Sequence, residues 1–93
     1  MIRTFRCQET ERVAARQRSR RLPQDIQQVA LRKLRMLNRA VSLADLMVPP
    51  ANRLEKLSGS RAGQYSIRIN DRWRVCFEWR NGDAYDVEIV DYH

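Results

Sequence analysis

The residues best suited to chemistry are few, and they sit late in the sequence. Its only histidine, His93, follows Asp91 and Tyr92. An imidazole has an unperturbed pKa of ~6.5, so it gives or takes a proton under physiological conditions. Arg72 and Arg74 lie two residues apart, and on a strand both would project from one face. Histidine, tyrosine and arginine together suit phosphodiester chemistry on RNA. Such cleavage needs a base to deprotonate the ribose 2′-hydroxyl, cations to stabilise a charge-rich phosphorane, and an acid to protonate the leaving 5′-oxygen. No metal is required. Tyr92 and His93 are candidates for the proton transfers, and Arg72, Arg74, Lys56 and Arg68 for holding the phosphate. Plainer roles compete: Arg74 as the ion-pair partner of a cross-strand acid such as Asp86 or Glu88, and Lys56 as a solvated surface charge.

Charge points the same way. The chain carries a formal net charge of +7, which favours a polyanionic partner, nucleic acid first. Of its 18 basic residues only Lys33 and Lys56 are lysine. Arginine supplies a planar fork that grips phosphate and stacks on bases, although a GC-rich genome would inflate its use equally. Residues 1–39 hold 11 basic against 3 acidic side chains, whereas residues 78–93 hold 1 against 5. An anion at the acidic tail must therefore be held by arginines from elsewhere. The cluster Arg16-Gln17-Arg18-Ser19-Arg20-Arg21 reads either as an RNA-binding arm or as a solvated loop.

The elements that would position these groups follow from period and turn chemistry. Ile2 to Arg6 suits a short strand, Glu9 to Arg18 a helix, and Pro23 the first turn of a second helix. The apolar stripe Ile26, Val29, Ala30, Leu34, Leu37 and Val41 marks that helix. Ser42 is a candidate N-cap for a short turn through Leu43, Leu46 and Met47, which Pro49-Pro50 must end. The period then changes to two. Tyr65, Ile67 and Ile69 alternate with Ser66, Arg68 and Asn70, and Trp73, Val75, Phe77 and Trp79 with Arg74, Cys76 and Glu78, as half-buried strands do. Shared facing with Val75 and Phe77 makes both tryptophans core residues sooner than base-stacking platforms. Asn81-Gly82 predicts a two-residue type I′ hairpin into a strand from Ala84 to Val90, which would bring the tail back beside Arg72 and Arg74. The sum is one α+β domain over residues 1–93, with helices first and a mainly antiparallel sheet second.

Several classes are disfavoured. Gly59, Gly63 and Gly82 form no phosphate-binding loop, and no serine sits in an acyl-transfer motif with a histidine. Cys7 and Cys76 give neither a disulfide framework nor a metal set, so we expect two buried thiols in a reducing cytoplasm, with no cofactor. No signal peptide and no apolar run near the ~20 residues of a membrane span is present, so a soluble cytoplasmic protein is expected.

Four stretches carry a resemblance. They are Asn52-Arg53-Leu54-Glu55-Lys56-Leu57-Ser58-Gly59; Arg61 with Gly63-Gln64-Tyr65-Ser66-Ile67-Arg68-Ile69-Asn70; Arg72-Trp73-Arg74-Val75-Cys76-Phe77; and Asp86-Val87-Glu88-Ile89-Val90-Asp91-Tyr92-His93. Together they closely resemble the HigB-type toxins of bacterial toxin–antitoxin modules, within the RelE/ParE superfamily, and the likeness extends through the whole chain. The resemblance implies helices packed on a curved antiparallel sheet. It implies a toxin that enters the ribosomal A site and cuts messenger RNA, contacting both mRNA and rRNA. It also implies neutralisation by a helix-turn-helix HigA-type antitoxin, whose complex binds operator DNA. Asp91, Tyr92 and His93 would match the family's functional tail, Arg72 and Arg74 its phosphate-facing arginines, with Lys56, Arg61 and Arg68 as further RNA contacts. One departure stands out: where many relatives read Leu-Lys-Gly-Asp-Arg, this chain has Leu57-Ser58-Gly59-Ser60-Arg61, so a basic cleft residue is missing unless Lys56 replaces it. Two other readings share the fold: a ParE-like inhibitor of DNA gyrase that cuts nothing, and a non-catalytic RNA- or antitoxin-binding module.

Overall fold

The computed structural model describes residues 1–91. Two helices, α1 (Gln8–Ala14) and α2 (Gln24–Arg39), precede a four-stranded antiparallel sheet in the order β1 (Glu55–Lys56), β2 (Gln64–Arg68), β3 (Trp73–Arg80), β4 (Asp83–Asp91). Short 3₁₀ turns at Leu43–Met47, Pro50–Asn52 and Gly59–Arg61 connect the halves. The α+β expectation is met.

The two helices depart from their expected limits for local reasons. The first ends at Ala14 instead of Arg18. Arg16 takes a left-handed φ of 62°, and its N–H donates to Val13 O while that of Gln17 donates to Arg12 O. That pair of bonds is a Schellman cap built without glycine. The second helix begins after Pro23, which caps it instead of occupying its first turn. Ile26, Ala30, Leu34 and Leu37 form the buried stripe. Val41 does not join them: the helix stops at Arg39, the Asp45 carboxylate accepts the N–H groups of Val41 and Ser42, and the valine is 77% exposed.

In the sheet, the Asn81-Gly82 turn has positive φ at both residues and pairs Arg80 with Asp83, as a type I′ hairpin requires. A bulge follows. Between Cys76 and Glu78 the register shifts by one residue, absorbed on β4 at Asp86, whose φ is 52°. Residues 2–5 run parallel to the outer edge of β4 through the bridges Ile2–Ala84 and Phe5–Val87, so the expected first strand is reduced to isolated bridges. The helices cover the face carrying Ile67, Val75, Phe77 and Ile89, and Trp73 and Trp79 pack against that core. The opposite face is not solvated as the alternation suggested. Ser66 and Cys76 are fully buried and Arg74 is 8% exposed, because residues 53–61 fold back against that side.

Candidate phosphate-binding cleft

Arg68 and Arg74 are direct cross-strand partners on β2 and β3, so antiparallel geometry puts both guanidinium groups on the face away from the helices. Two like charges there need compensation. Arg74 is immobilised: its Nε donates to Ser66 Oγ at 2.7 Å, its Nη2 to the carbonyl oxygens of Arg53 and Ser66, and its Nη1 lies 3.5 Å from Glu55 Oε1. Its expected acidic partner on β4 is therefore replaced by Glu55 on β1. Arg68 pairs with the exposed Asp71. With Arg53, Glu55 and Asn70, these residues line an open cleft of about 290 Å³.

At the near end of β3, Asn70 Oδ1 accepts the N–H groups of Arg72 and Trp73 and fixes the turn. Arg72 then grips Asp91 with Nε to Oδ1 at 2.8 Å and Nη2 to Oδ2 at 2.9 Å. That bidentate hydrogen bond, and then the charge of Asp91, raise the Arg72 pKa above its ordinary value. The return of β4 to Arg72 is thus observed through Asp91. Tyr92 and His93 lie outside the described residues.

The remaining predicted residues are not brought together with these. Lys56 pairs with Tyr65 across the strands, whereas its neighbour Glu55 pairs with Ser66, so strand parity turns Lys56 away from the face that carries Arg74. Arg61 is half-buried and engaged by Gln64 Oε1 at 2.9 Å and Glu88 Oε1 at 3.3 Å, beside the buried Cys76 rather than in the cleft. Four contributors escaped the sequence reading. Glu55, Ser66 and the Arg53 carbonyl orient Arg74, and their pairing depends on the fold-back of residues 53–61, which no periodicity reveals. Lys33 of α2 is the other. Its Nζ donates to the fully buried Asn52 Oδ1 at 2.6 Å, and burial, then Arg32 and Arg68, lower its pKa.

Two helices over an antiparallel sheet, with the buried Arg74 and the paired Arg68 on the sheet's other face, define a small α+β domain with a cationic cleft. The same fold is seen in the YoeB–YefM complex from Staphylococcus aureus, which aligns with a TM-score of 0.61 at 18% identity over 100% of this chain and 98% of that one. Sequence comparison specifies the family: residues 4–93 match the model described as the RelE-like toxin of type II toxin-antitoxin system HigB, and the chain belongs to that family. Toxin HigB-1 of Vibrio cholerae is 41% identical over 72 residues, covering 77% of this chain and 76% of its own length. Endoribonuclease HigB of Proteus vulgaris is 44% identical over 41 residues, 44% of this chain and 45% of that protein.

Proposed function

We propose that this toxin is a ribosome-dependent endoribonuclease that cuts messenger RNA in the A site and so stops translation. The observation that carries the proposal is Arg74, a guanidinium held by Ser66 and Arg53 at the wall of an open cleft, with a second cation, Arg68, directly across the strands. A cation fixed before substrate arrives stabilises developing phosphorane charge without reorganising during the reaction. Phosphate displaces the weak contact to Glu55, whose side chain is 52% exposed. The name of the Proteus vulgaris relative, an endoribonuclease, supports the same activity.

In this mechanism the ribose 2′-oxygen attacks phosphorus and the bond to the 5′-oxygen breaks, leaving a 2′,3′-cyclic phosphate and a 5′-hydroxyl. Tyr92 and His93 carry the proton transfers, Arg74 and Arg68 hold the phosphate, and Arg72 orients the tail through Asp91. Lys56 and Arg61, which lie outside the cleft lining, contribute to RNA binding from its surroundings. A helix-turn-helix HigA-type antitoxin is the neutralising partner, and operator DNA is bound through that complex. The test compares mRNA cleavage on programmed ribosomes with inhibition of DNA gyrase supercoiling by the same purified protein. Cleavage without gyrase inhibition is expected. Gyrase inhibition without cleavage would replace the nuclease reading with a ParE-like one.

A further inference from the structure

The arginine cluster between the helices is not a loose solvated loop. Ser19 is fully buried at its centre and ties it down. The Ser19 hydroxyl donates to Glu9 Oε1 at 2.7 Å and accepts the N–H groups of Arg21 and Leu22, each at 3.2 Å. Its carbonyl accepts the side-chain amides of Gln24 and Gln27, and its N–H donates to Gln27 Oε1. The Schellman cap at Arg16 turns the chain into this arrangement. Around the buried serine, Arg18, Arg20 and Arg21 are exposed, and among the described residues none of the three makes an ion pair. With Glu9 and Arg12, which pair with each other at 3.5 Å, they line a broad open concavity whose unpaired charge is that of the three arginines.

Leaving three arginines unpaired beside one another incurs mutual repulsion, which an anionic partner relieves. A rigid display also lowers the ordering entropy lost on binding. The lining contains no aromatic side chain, so phosphate contacts rather than base stacking carry nucleic-acid binding there. Several separated guanidinium groups on a concave surface match the repeating phosphates of a double helix. The loop belongs to the helical layer, on the other side of the sheet from Arg68 and Arg74, so it does not compete with the cleft.

We propose that Arg18, Arg20 and Arg21, with Arg12, form a second, non-catalytic site that grips the phosphate backbone of double-helical RNA. The choice of RNA over DNA rests on the nuclease reading above; the phosphate chemistry does not. It gives the toxin a sequence-independent hold on structured RNA while the cleft engages the strand to be cut.

The test measures binding of the toxin to a 2′-hydroxyl RNA duplex, a single strand and a DNA duplex of equal length by anisotropy, across salt concentrations. The triple variant Arg18→Gln/Arg20→Gln/Arg21→Gln is expected to bind the RNA duplex at least ~10-fold more weakly and to lower the slope of log affinity against log salt by about 3, roughly one per phosphate contact removed. The corresponding triple lysine variant, which keeps the charge, retains most of the affinity and shows that folding is intact. Under saturating ribosomes the glutamine variant cuts at the wild-type rate. Unchanged duplex affinity in that variant overturns the proposal, as does tighter wild-type binding to the single strand or to DNA. Loss of antitoxin binding with duplex binding intact would assign the surface to the antitoxin instead. Failure of mRNA cleavage by the wild type refutes the nuclease reading alone, since duplex binding is read independently of it.

Discussion

Removing the Arg74 side chain should cost the protein stability as well as activity, and the structure sets the size of the effect. In Arg74→Ala, the fully buried Ser66 hydroxyl and the Arg53 carbonyl lose a charged donor. A buried acceptor left unsatisfied costs about 1–3 kcal/mol. The contact to Glu55 adds little, because that carboxylate is 52% exposed and 3.5 Å away, and such pairs contribute ~0–1 kcal/mol. Ser66 is the fully buried acceptor and Arg53 is an exposed residue, so the expected loss is about 1–4 kcal/mol, from a total on the order of 5–14 kcal/mol for a chain of this size. Arg74→Lys reaches at most one of the two acceptors and should lose about half as much. Ser66→Ala keeps the cation but strands its Nε–H, costing about 1–3 kcal/mol. Urea unfolding of the three variants measures these differences, with equal m-values required for comparison. A change within ~0.5 kcal/mol for Arg74→Ala, typical of an unremarkable surface substitution, would refute the claim that the fold holds this guanidinium. The measurement also matters for function, because a drop in cleavage by Arg74→Ala reports on chemistry only after the folded fraction is known.

Three further outcomes follow from single positions. Arg16→Gly should raise stability by about 0.5–1 kcal/mol, since the left-handed conformation that penalises arginine is open to glycine at some cost in backbone entropy; a thermal melt with no gain would contradict the strained cap. In the native protein, the half-exposed Cys7 should react with a thiol reagent at neutral pH and the fully buried Cys76 should not, as mass spectrometry of the labelled protein will show. Burial raises the Cys76 pKa, reinforced by Glu88 and opposed by Arg61 and Arg74, so the unfolded thiol ionises first as pH rises through ~8.5. Stability associated with this group is full below that pH and declines above it until the folded thiol also ionises. The alkaline decline should be shallower in Cys76→Ala, and an identical pH profile would exclude the thiol as its source.

Local chemistry made much of this fold legible. The Asn81-Gly82 hairpin, the buried face of α2 and the alternating strands were readable because each is specified by residues near in sequence. Three features were not. The cap at Arg16 uses a residue that carries no turn signal, so the first helix looked four residues longer than it is. The β4 bulge at Asp86 changes which side chains face Arg74, and only the pairing with residues 2–5 and the Thr4 hydroxyl marks its place. Arg74 was found from its parity with Arg72, yet its burial was not, because the covering segment 53–61 has neither helical nor strand period. The same reason hid Glu55 and Ser66. Ser19 looked like one polar residue in a basic loop, while its hydrogen bonds to Gln24 and Gln27 make it the loop's anchor.

In the proposed mechanism this toxin cuts ribosome-bound messenger RNA by proton transfer at its tail and charge stabilisation in the cleft. Single-turnover cleavage on programmed ribosomes by wild type and His93→Gln tests it most directly. The wild type is expected to cut A-site message to a 2′,3′-cyclic phosphate and to leave free message intact. His93→Gln should bind ribosomes as tightly but cut roughly 100-fold more slowly, the usual loss for a general acid or base. Equal rates for the two proteins, or equal cutting of free and ribosome-bound message, would contradict it.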